Sequence, residues 1–277
     1  MTEPQIASAA NPRIKTVAKL RDRRERERTG LTIVDGGREV RRALDAGVAV
    51  TEAFVCEPLV RSSDARAAVA ALQSAGVRIT TVSPVVFDRI AFGDRVEGIV
   101  AVLRAPGTDL ASLRLPAEPL VLVLEAVEKP GNLGAALRSA DGAGVDALLA
   151  ADPRTDPFNP NAIRASLGTA FTVPIGAGST AEVLAFLRGN DVRIVAARVD
   201  ATTHYTEADL RGPVAIALGS EADGLSPAWS ASDVTAVRLP MLGAADSLNV
   251  SVAAAILLYE ARRQRGRPAQ AARTARQ

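Results

Sequence analysis

Short apolar runs alternate with helical segments along most of the chain. The periodicity predicts strands at 120–124, 145–150, 170–174, 193–197, 214–219 and 234–239, and helices at 132–143, 161–167 and 180–188. Continuous apolar strands separated by helices are typical of a parallel sheet covered on both faces. Shorter elements repeat the alternation over residues 31–103. The pattern therefore predicts an α/β protein with two units.

One further helix, at residues 250–259, is predicted to be apolar on every side. Such a helix packs inside a protein or against a partner, and this one is too short to cross a bilayer. A polar loop carrying Asp246, Ser247 and Asn249 leads directly into it. Because a helix N-terminus has free N–H groups, the stretch predicts a ligand-binding loop on a rigid support.

The proline-rich stretch 106–118 is the predicted linker between two domains. We expect an N-terminal domain at 1–105 and a C-terminal domain at 119–262. Residues 263–277, with several arginines, are predicted to form a basic flexible tail.

Composition narrows the class of protein. The chain is 48% hydrophobic and 23% charged, with Cys56 as its one cysteine. A single cysteine excludes an intrachain disulfide framework and a cysteine-rich metal site, and it fits a reducing cytosol. We find neither a signal-peptide pattern nor an 18-residue apolar span. A cytoplasmic protein with no membrane partner and no metal is therefore expected.

Basic residues are concentrated near the start of the chain, although the net charge is only +2. Ile14, Val17 and Leu20 fall at helical spacing, which leaves Lys15 and Lys19 on the solvated sides. Two interpretations stay open at this point. The segment is either a solvated helix with internal ion pairs or a face that contacts nucleic-acid phosphates.

Three loops at predicted strand ends carry the candidate chemistry. In open α/β sheets, ligands bind outside the carboxyl ends of the strands. The first loop, 125–138, contains glycines that allow close backbone approach, Asn132 as a possible helix cap, and Arg138. The second, 219–227, places glycines around a carboxylate, and the third precedes the apolar helix.

These loops resemble the motifs of one family. Pro130-Gly-Asn-Leu-Gly-Ala-Ala-Leu-Arg-Ser-Ala140, Leu218-Gly-Ser-Glu-Ala-Asp-Gly-Leu-Ser226, and Leu239-Pro-Met with Ser247-Leu-Asn-Val-Ser-Val252 are similar, in order and spacing, to the three motifs of the SpoU (TrmH-like) RNA 2′-O-ribose methyltransferases of the SPOUT class. Asn11-Pro-Arg-Ile-Lys and Asp35-Gly-Gly-Arg-Glu-Val resemble the substrate-binding domain of many members. Lys129 departs from the usual Asn or Asp, and Asp35 from the common Glu.

The resemblance implies a C-terminal parallel-sheet α/β domain with a deep trefoil knot, and a smaller N-terminal α/β RNA-binding domain. It implies S-adenosylmethionine as cofactor and a homodimer formed through the knotted domain. Ribosomal RNA of the 23S type is the favoured substrate, with transfer RNA as the alternative.

The motif matches assign site residues. The catalytic set is Arg138, Asn132, Glu221, Ser247 and Asn249. The cofactor set is Ala197, Leu218, Gly219, Ser220, Gly224, Leu239, Met241, Ser247 and Leu248. The RNA-binding set is Arg13, Lys15, Lys19, Arg38, Arg138 and Arg164.

The resemblance also suggests roles within the catalytic set. A guanidinium does not normally lose its proton in a protein, so we expect Arg138 to hold the phosphate and the 2′-oxygen. The alternative is that Arg138 only forms an ion pair on the helix surface. Asn132 and Asn249 would orient the hydroxyl and the first loop. Glu221 would either accept N–H bonds from its own loop or pair with Arg138.

Two rival functions remain at the level of sequence. One is a non-catalytic RNA-binding protein on the same fold, which the intact motif residues disfavour. The other is a nucleotide-dependent dehydrogenase, which needs a glycine-rich turn directly after a strand. The nearest match, 142–147, lies after a helix and before a strand. His204 has no cysteine to complete a zinc site or a familiar triad.

Overall fold

The computed structural model describes residues 5–92 and 96–266. The α-helices are α1 Pro12–Lys19, α2 Arg23–Thr29, α3 Gly37–Asp45, α4 Ser63–Ser74, α5 Pro84–Ile90, α6 Pro130–Ala143, α7 Pro160–Ala165, α8 Thr180–Gly189 and α9 Val250–Arg265. The strands are β1 Leu31–Asp35, β2 Val50–Val55, β3 Ile79–Thr81, β4 Ile99–Arg104, β5 Leu120–Glu125, β6 Ala147–Ala151, β7 Ile175–Gly178, β8 Arg193–Ala197, β9 Val214–Leu218 and β10 Val234–Val237.

The chain divides into two compact units. The first is Met1–Gly107 together with Phe158–Thr172, and the second is Thr108–Pro157 together with Val173–Gln277. The predicted boundary placed residues 158–172 inside the C-terminal domain, whereas their contacts group them with the first unit.

The first unit contains a four-stranded mixed sheet in the order β1-β4-β2-β3. β4 runs antiparallel to both β1 and β2, while β2 and β3 are parallel. One side of its core is formed by the apolar faces of α1 and α5 against the sheet, including Ile14, Phe54 and Phe87, none of which is exposed. The helical spacing of Ile14 and Val17 is confirmed, but the basic segment is two helices because α1 ends at Lys19.

Residues 158–172 are held in the first unit by long-range hydrogen bonds. Thr32 Oγ1 donates to the Phe158 carbonyl (2.8 Å), and Arg42 Nη1 donates to the Leu167 carbonyl (2.7 Å). The predicted strand at 170–174 is wrong: Thr169–Phe171 is a 3-10 helix. Within this segment the Phe171 ring stacks on the Phe158 ring, with 5.9 Å between ring centroids. The next strand, β7, begins only at Ile175.

The second unit is built on a six-stranded sheet in the order β10-β8-β9-β5-β6-β7. Every neighbouring pair is parallel, which confirms the predicted architecture. All strands therefore place their carboxyl ends at one edge. All of β5, β6 and β9 is buried, as expected for strands covered on both faces.

The chain at the end of β10 is hydrogen-bonded to the loop that follows β8. Arg198 N donates to the Val237 carbonyl (2.9 Å), Arg238 N donates to the Thr203 carbonyl (2.9 Å), and Tyr205 N donates to the Arg238 carbonyl (3.1 Å). Residues 239–249 then lead back to α9. These hydrogen bonds are consistent with the knot that the resemblance implies.

The C-terminal end of α9 fastens the segments that enter β5 and β9. Arg265 donates to four carbonyls, those of Leu210, Glu118, Pro119 and Gly212. The helix therefore continues past residue 262, where the predicted domain ended. Of the predicted basic tail, 267–277 lies outside the described residues.

Part of the predicted linker 106–118 is integral to the second unit. Ala177 N donates to the Thr108 carbonyl (2.8 Å), and Leu110 and Leu113 pack against the core. Among the helices of residues 5–92 and 96–266, none combines the length and apolar character needed to span a bilayer.

Candidate active site

The first candidate loop connects β5 to α6. Ala126 follows the strand in a left-handed conformation (φ 52°), and α6 begins at Pro130, a residue suited to a first helical turn. The helix thus starts before Asn132, and the expectation that Asn132 caps it is wrong. Its side chain is instead available to contact the other loops.

Side chains from all three loops form one hydrogen-bonded line. Asn249 Nδ2 donates to Asn132 Oδ1 (3.1 Å), and Asn132 Nδ2 donates to Glu221 Oε1. Each side chain belongs to a different sequence motif, with separations of 89 and 117 residues. We call this the Asn249–Asn132–Glu221 line. The two contacts fix the orientation of the Asn132 amide, because its NH₂ group faces Glu221 and its oxygen faces Asn249.

Asn249 has a second role, at the start of α9. Its Oδ1 accepts from Ser251 N (3.0 Å) and from Ser251 Oγ (2.6 Å), so it is the N-cap of the helix. The same amide therefore ties the third loop both to a rigid helix and to Asn132. The polar loop thus leads directly into the helix that the apolar run predicted.

The second loop is folded tightly on itself behind Glu221. Gly224 N donates to the Ser220 carbonyl (3.0 Å), and Asp223 N donates to Ser220 Oγ (3.1 Å). A Cβ added at Gly219 would overlap the Gly224 backbone, so only glycine fits there. Glu221 accepts from Asn132; of its two expected roles, pairing with Arg138 is not seen among the described residues.

Arg138 is exposed on α6 and makes no hydrogen bond or ion pair within the described parts of the chain. It follows Asn132 by six residues, which places it about 9 Å further along the helix axis and about 120° around it. The helix-surface ion pair considered above is therefore absent. An unengaged guanidinium is suited to a phosphate or a developing oxyanion.

The predicted cofactor residues lie at neighbouring strand ends. Ala197 ends β8 and Leu218 ends β9, the two strands beside each other in the sheet, while Leu239 and Met241 follow β10 on the other side of β8. Leu218 is 3% exposed, and Leu239 and Met241 are half-buried. These apolar walls, with the irregular backbone of 238–249, fit an adenosine that needs apolar contacts and backbone partners.

The two remaining predicted positions in the third loop are open to solvent. Ser247 is exposed, and Leu248 is 36% exposed. The Ser247 hydroxyl makes no hydrogen bond within the described residues. Both residues precede the Asn249 cap, so their backbone lies where α9 begins.

A cleft of about 490 Å³ opens on the other side of the second loop, toward β6. Of the predicted cofactor set, only Ser220 and Gly224 line it; its other walls include Glu125 and Asp152. Glu125 is 4% exposed and was not among the predicted site residues. The sequence signal that could have identified Glu125 is a charged residue at the end of an otherwise apolar strand.

The predicted RNA-binding residues of the first unit differ in their exposure and in their contacts with other side chains. Lys15 and Lys19 are exposed on α1. Arg38 is also exposed, and its Nη2 lies 3.2 Å from Asp64 Oδ2. Arg13 is held more firmly, because its Nη2 donates to Glu52 Oε2 (2.6 Å) and its guanidinium lies over the Phe54 ring.

Arg164, also predicted to meet RNA, is engaged inside the first unit. Its Nη1 donates to the Phe92 carbonyl (2.6 Å) and lies 3.7 Å from Asp35 Oδ2, and its side chain is 17% exposed. Burial raises the pKa of Asp35 to about 6, although the Phe92 N–H and Arg164 oppose the shift and Glu39 adds to it. Arg164 thus partly compensates a buried carboxyl group.

No group of His, Cys, Asp and Glu within residues 5–92 and 96–266 is arranged to hold a metal ion. His204 lies in a turn, where its Nδ1 contacts Thr206 Oγ1 (2.7 Å).

Comparison with known proteins agrees with this geometry. The model of the SpoU rRNA Methylase family matches residues 119–259, and that of the MRM3-like substrate binding domain matches residues 11–101. The chain is 30% identical over 258 residues to the 23S rRNA (guanosine(2553)-2′-O)-methyltransferase RlmP of Bacillus subtilis (strain 168), covering 93% of this chain and 99% of the relative.

Two solved structures are similar to the chain over most of its length. A crystal structure of an RNA 2′-O ribose methyltransferase is 42% identical, with a TM-score of 0.84, and covers 94% of this chain and 99% of its own. The AdoMet-bound rRNA methyltransferase of Sinorhizobium meliloti is 28% identical, with a TM-score of 0.84 and coverage of 94% and 97%. The chain therefore belongs to the SpoU rRNA methylase family.

Proposed function

We propose that this protein transfers a methyl group from S-adenosylmethionine to a ribose 2′-hydroxyl of 23S-type ribosomal RNA. The observation that carries the proposal is the Asn249–Asn132–Glu221 line, which joins three separated motifs. An unengaged arginine, Arg138, follows Asn132 on the same helix. The B. subtilis relative is named as a 23S rRNA 2′-O-methyltransferase, and the S. meliloti neighbour is described with AdoMet bound.

The residues of the line act by positioning. Bound S-adenosylmethionine supplies an electrophilic methyl group on a sulfonium. The Asn132 amide has a second N–H besides the one donated to Glu221, and this N–H orients the ribose 2′-oxygen. Glu221 and Asn249 hold that amide in one orientation, so the oxygen is aligned for in-line attack. Alignment of this kind can supply much of the acceleration of a two-substrate reaction.

Arg138 binds the phosphate next to the target ribose and stabilises the negative charge that develops on the 2′-oxygen. It does not act as the base, because its guanidinium stays protonated; the proton leaves to water late in the reaction. Ser247 is exposed in the third loop, two residues before Asn249, and would contact the RNA from there.

The residues that would hold the cofactor lie at the carboxyl ends of β10, β8 and β9. Leu218, Leu239 and Met241 form apolar walls for the adenine, with Ala197 and Leu248 at the margins. The backbone at Gly219, Ser220, Gly224 and Ser247 supplies hydrogen-bond partners. The trefoil-knot path of 238–249 would hold this backbone in place.

The first unit docks the RNA through exposed cations. Lys15, Lys19 and Arg38 are accessible on two of its helices, and the unit matches a substrate binding domain. Arg13 and Arg164 have internal partners, so their RNA contacts stay predictions. Phosphate contacts make RNA affinity fall with salt; the double substitution of Lys15 and Lys19 by Gln should weaken binding and reduce that salt dependence.

We further propose that the protein is a dimer through the second unit. Val252 and Tyr259 on α9 are 47% and 55% exposed, and Ile256 lies between them on the same helix face. An exposed apolar stripe on a helix is typical of a partner contact. Tyr259→Glu should shift the sedimentation coefficient to that of a monomer, whereas Val85→Glu, at a 70% exposed position in the first unit, should not.

The test of the function is a map of 2′-O-methylated nucleotides in cells with the gene, without it, and with only the Arg138→Ala variant. We expect one 23S rRNA mark, on a guanosine as in the named relative, to disappear in the last two strains. Loss of a transfer RNA mark instead would support the alternative substrate. Loss of no mark, together with retained RNA binding, would favour the non-catalytic protein. The cytoplasmic location stays a prediction.

A further inference from the structure

A buried carboxylate supports the second loop from behind. Glu125 is the last residue of β5, after five apolar residues, and is 4% exposed. Ser226 N donates to its Oε2 (2.6 Å), and Ser226 Oγ donates to its Oε1 (2.7 Å). Burying a carboxylate is unfavourable unless donors satisfy both oxygens. Both oxygens are satisfied here by the residue at the far end of the second loop.

The hydroxyl of Ser226 is used in an unusual way. Ser226 is the N-cap of the 3-10 helix Pro227–Ser230, where serine commonly caps the helix with its side chain. Its side chain makes no capping bond and turns to Glu125 instead. The local sequence would favour the cap, so the contact with Glu125 takes precedence over it.

The loop is thereby held at three places. Leu124 of β5 pairs with Leu218 of β9, so Glu125 lies level with Gly219, where the loop begins. The middle of the loop is held by Glu221, which accepts from Asn132. The end is held by Ser226. Without Glu125, Ser226 would lose the acceptor of both its backbone N–H and its hydroxyl, the contacts that fix this end of the loop to β5.

We propose that Glu125 is a positioning residue for methyl transfer. Through Ser226 it sets the place of residues 219–226, and with them Glu221 and the backbone that binds the cofactor. This inference rests on the proposed function. It predicts that Glu125 affects the affinity for S-adenosylmethionine and the turnover rate without affecting the affinity for RNA.

Thr180 provides a matched control, because it donates to the same carboxylate from a different element. Thr180 Oγ1 donates to Glu125 Oε1 (2.7 Å) and also lies 2.6 Å from Asp152 Oδ2. A hydroxyl has one proton, so it serves one carboxylate at a time. Thr180 begins α8 and is outside the second loop. Thr180→Val therefore removes a buried hydrogen bond to Glu125 and leaves the contact with Ser226 in place.

The experiment measures kcat, the KM for S-adenosylmethionine and the KM for RNA in Glu125→Ala, Glu125→Gln, Ser226→Ala and Thr180→Val. Loss of charge-assisted hydrogen bonds should raise the cofactor KM about tenfold in Glu125→Ala, and less in Ser226→Ala. Glu125→Gln should recover most of the loss, because the amide oxygen can accept from Ser226 N while its NH₂ donates to the two hydroxyls. Thr180→Val should lower the melting temperature with a wild-type cofactor KM.

A wild-type cofactor KM in both Glu125→Ala and Ser226→Ala would overturn the inference. An equal rise in Thr180→Val would also overturn it, because the effect would then be general destabilisation. If Glu125→Ala does not fold, Ser226→Ala decides the question, since it removes a single hydroxyl. Should the wild-type protein transfer no methyl group, the proposed function fails; equilibrium binding of S-adenosylmethionine to the same variants still tests the positioning.

Discussion

Asn249 carries two functions in one amide, and a single substitution separates them. Asn249→Asp keeps an oxygen that caps α9, since Asp and Asn are equally good N-caps, and the new negative charge is favourable at a helix N-terminus. It loses the Nδ2 donor that lies 3.1 Å from Asn132 Oδ1. The loss also places one acceptor against another.

The expected magnitude follows from this contact. The contact is exposed, so removing it costs about 0.5–1.5 kcal/mol, or roughly 2- to 12-fold in rate if the line is fully formed in the transition state. The added negative charge at the start of α9 offsets part of this loss in the folded state, so the melting temperature should fall less than in Asn249→Ala. Asn249→Ala should lose activity to a similar extent and also about 1 kcal/mol of cap energy, which lowers the melting temperature by about 2–4 °C.

Single-turnover methyl transfer and thermal melting, measured on both variants, test this reasoning. It is refuted if Asn249→Asp transfers methyl at the wild-type rate. It is equally refuted if the two variants lose activity only in proportion to their loss of stability, because Asn249 would then serve the helix alone.

Three further substitutions test other parts of the structure. Gly219→Ala should abolish activity, because a Cβ there overlaps the backbone of Gly224; an active variant with unchanged cofactor affinity would show that the loop is not rigid. The raised pKa of Asp35, about 6 against the ordinary 3.8, means that the folded state binds this proton more tightly. The free energy of unfolding should therefore fall as pH rises from about 4 to about 6. Asp35→Asn should remove up to about 3 kcal/mol of this dependence and be the more stable form at pH 7. Urea titrations across this pH range check the prediction, and a pH-independent difference between the two proteins would contradict it. Arg265→Ala removes a side-chain donor from four carbonyls and should cost several kcal/mol of stability. Arg188→Ala breaks an exposed pair and should cost less than about 1 kcal/mol; equal melting temperatures would contradict the anchoring role of Arg265.

The sheet and the three loops could be predicted because their signals are local. Buried parallel strands are continuous apolar runs, and the rule that ligands bind at the carboxyl ends needs only the strand order. Resemblance to a family then supplied what the pattern could not: the knot, the cofactor and the roles of Asn132, Glu221 and Asn249. The structure brings these three side chains together.

What sequence could not predict depends on distant partners. Residues 170–174 have the composition of a strand, but Phe171 stacks on Phe158 in the first unit and the segment becomes a 3-10 helix. The sequence also does not reveal that Arg164, predicted to contact RNA, donates to the carbonyl of Phe92, 72 residues away. Glu125 could be noticed as a charge ending an apolar strand, but its role requires knowing that Ser226 lies opposite it.

The most direct test of the account is transfer in vitro. The purified protein is incubated with S-adenosylmethionine labelled in its methyl group and with 23S rRNA from cells lacking the gene, and the RNA is then hydrolysed with alkali. A 2′-O-methyl group blocks cleavage at its own nucleotide, so the account predicts that the label appears in one alkali-resistant dinucleotide with the wild-type protein and nowhere with Arg138→Ala. Label recovered on a base, or no label in the RNA at all, would contradict it.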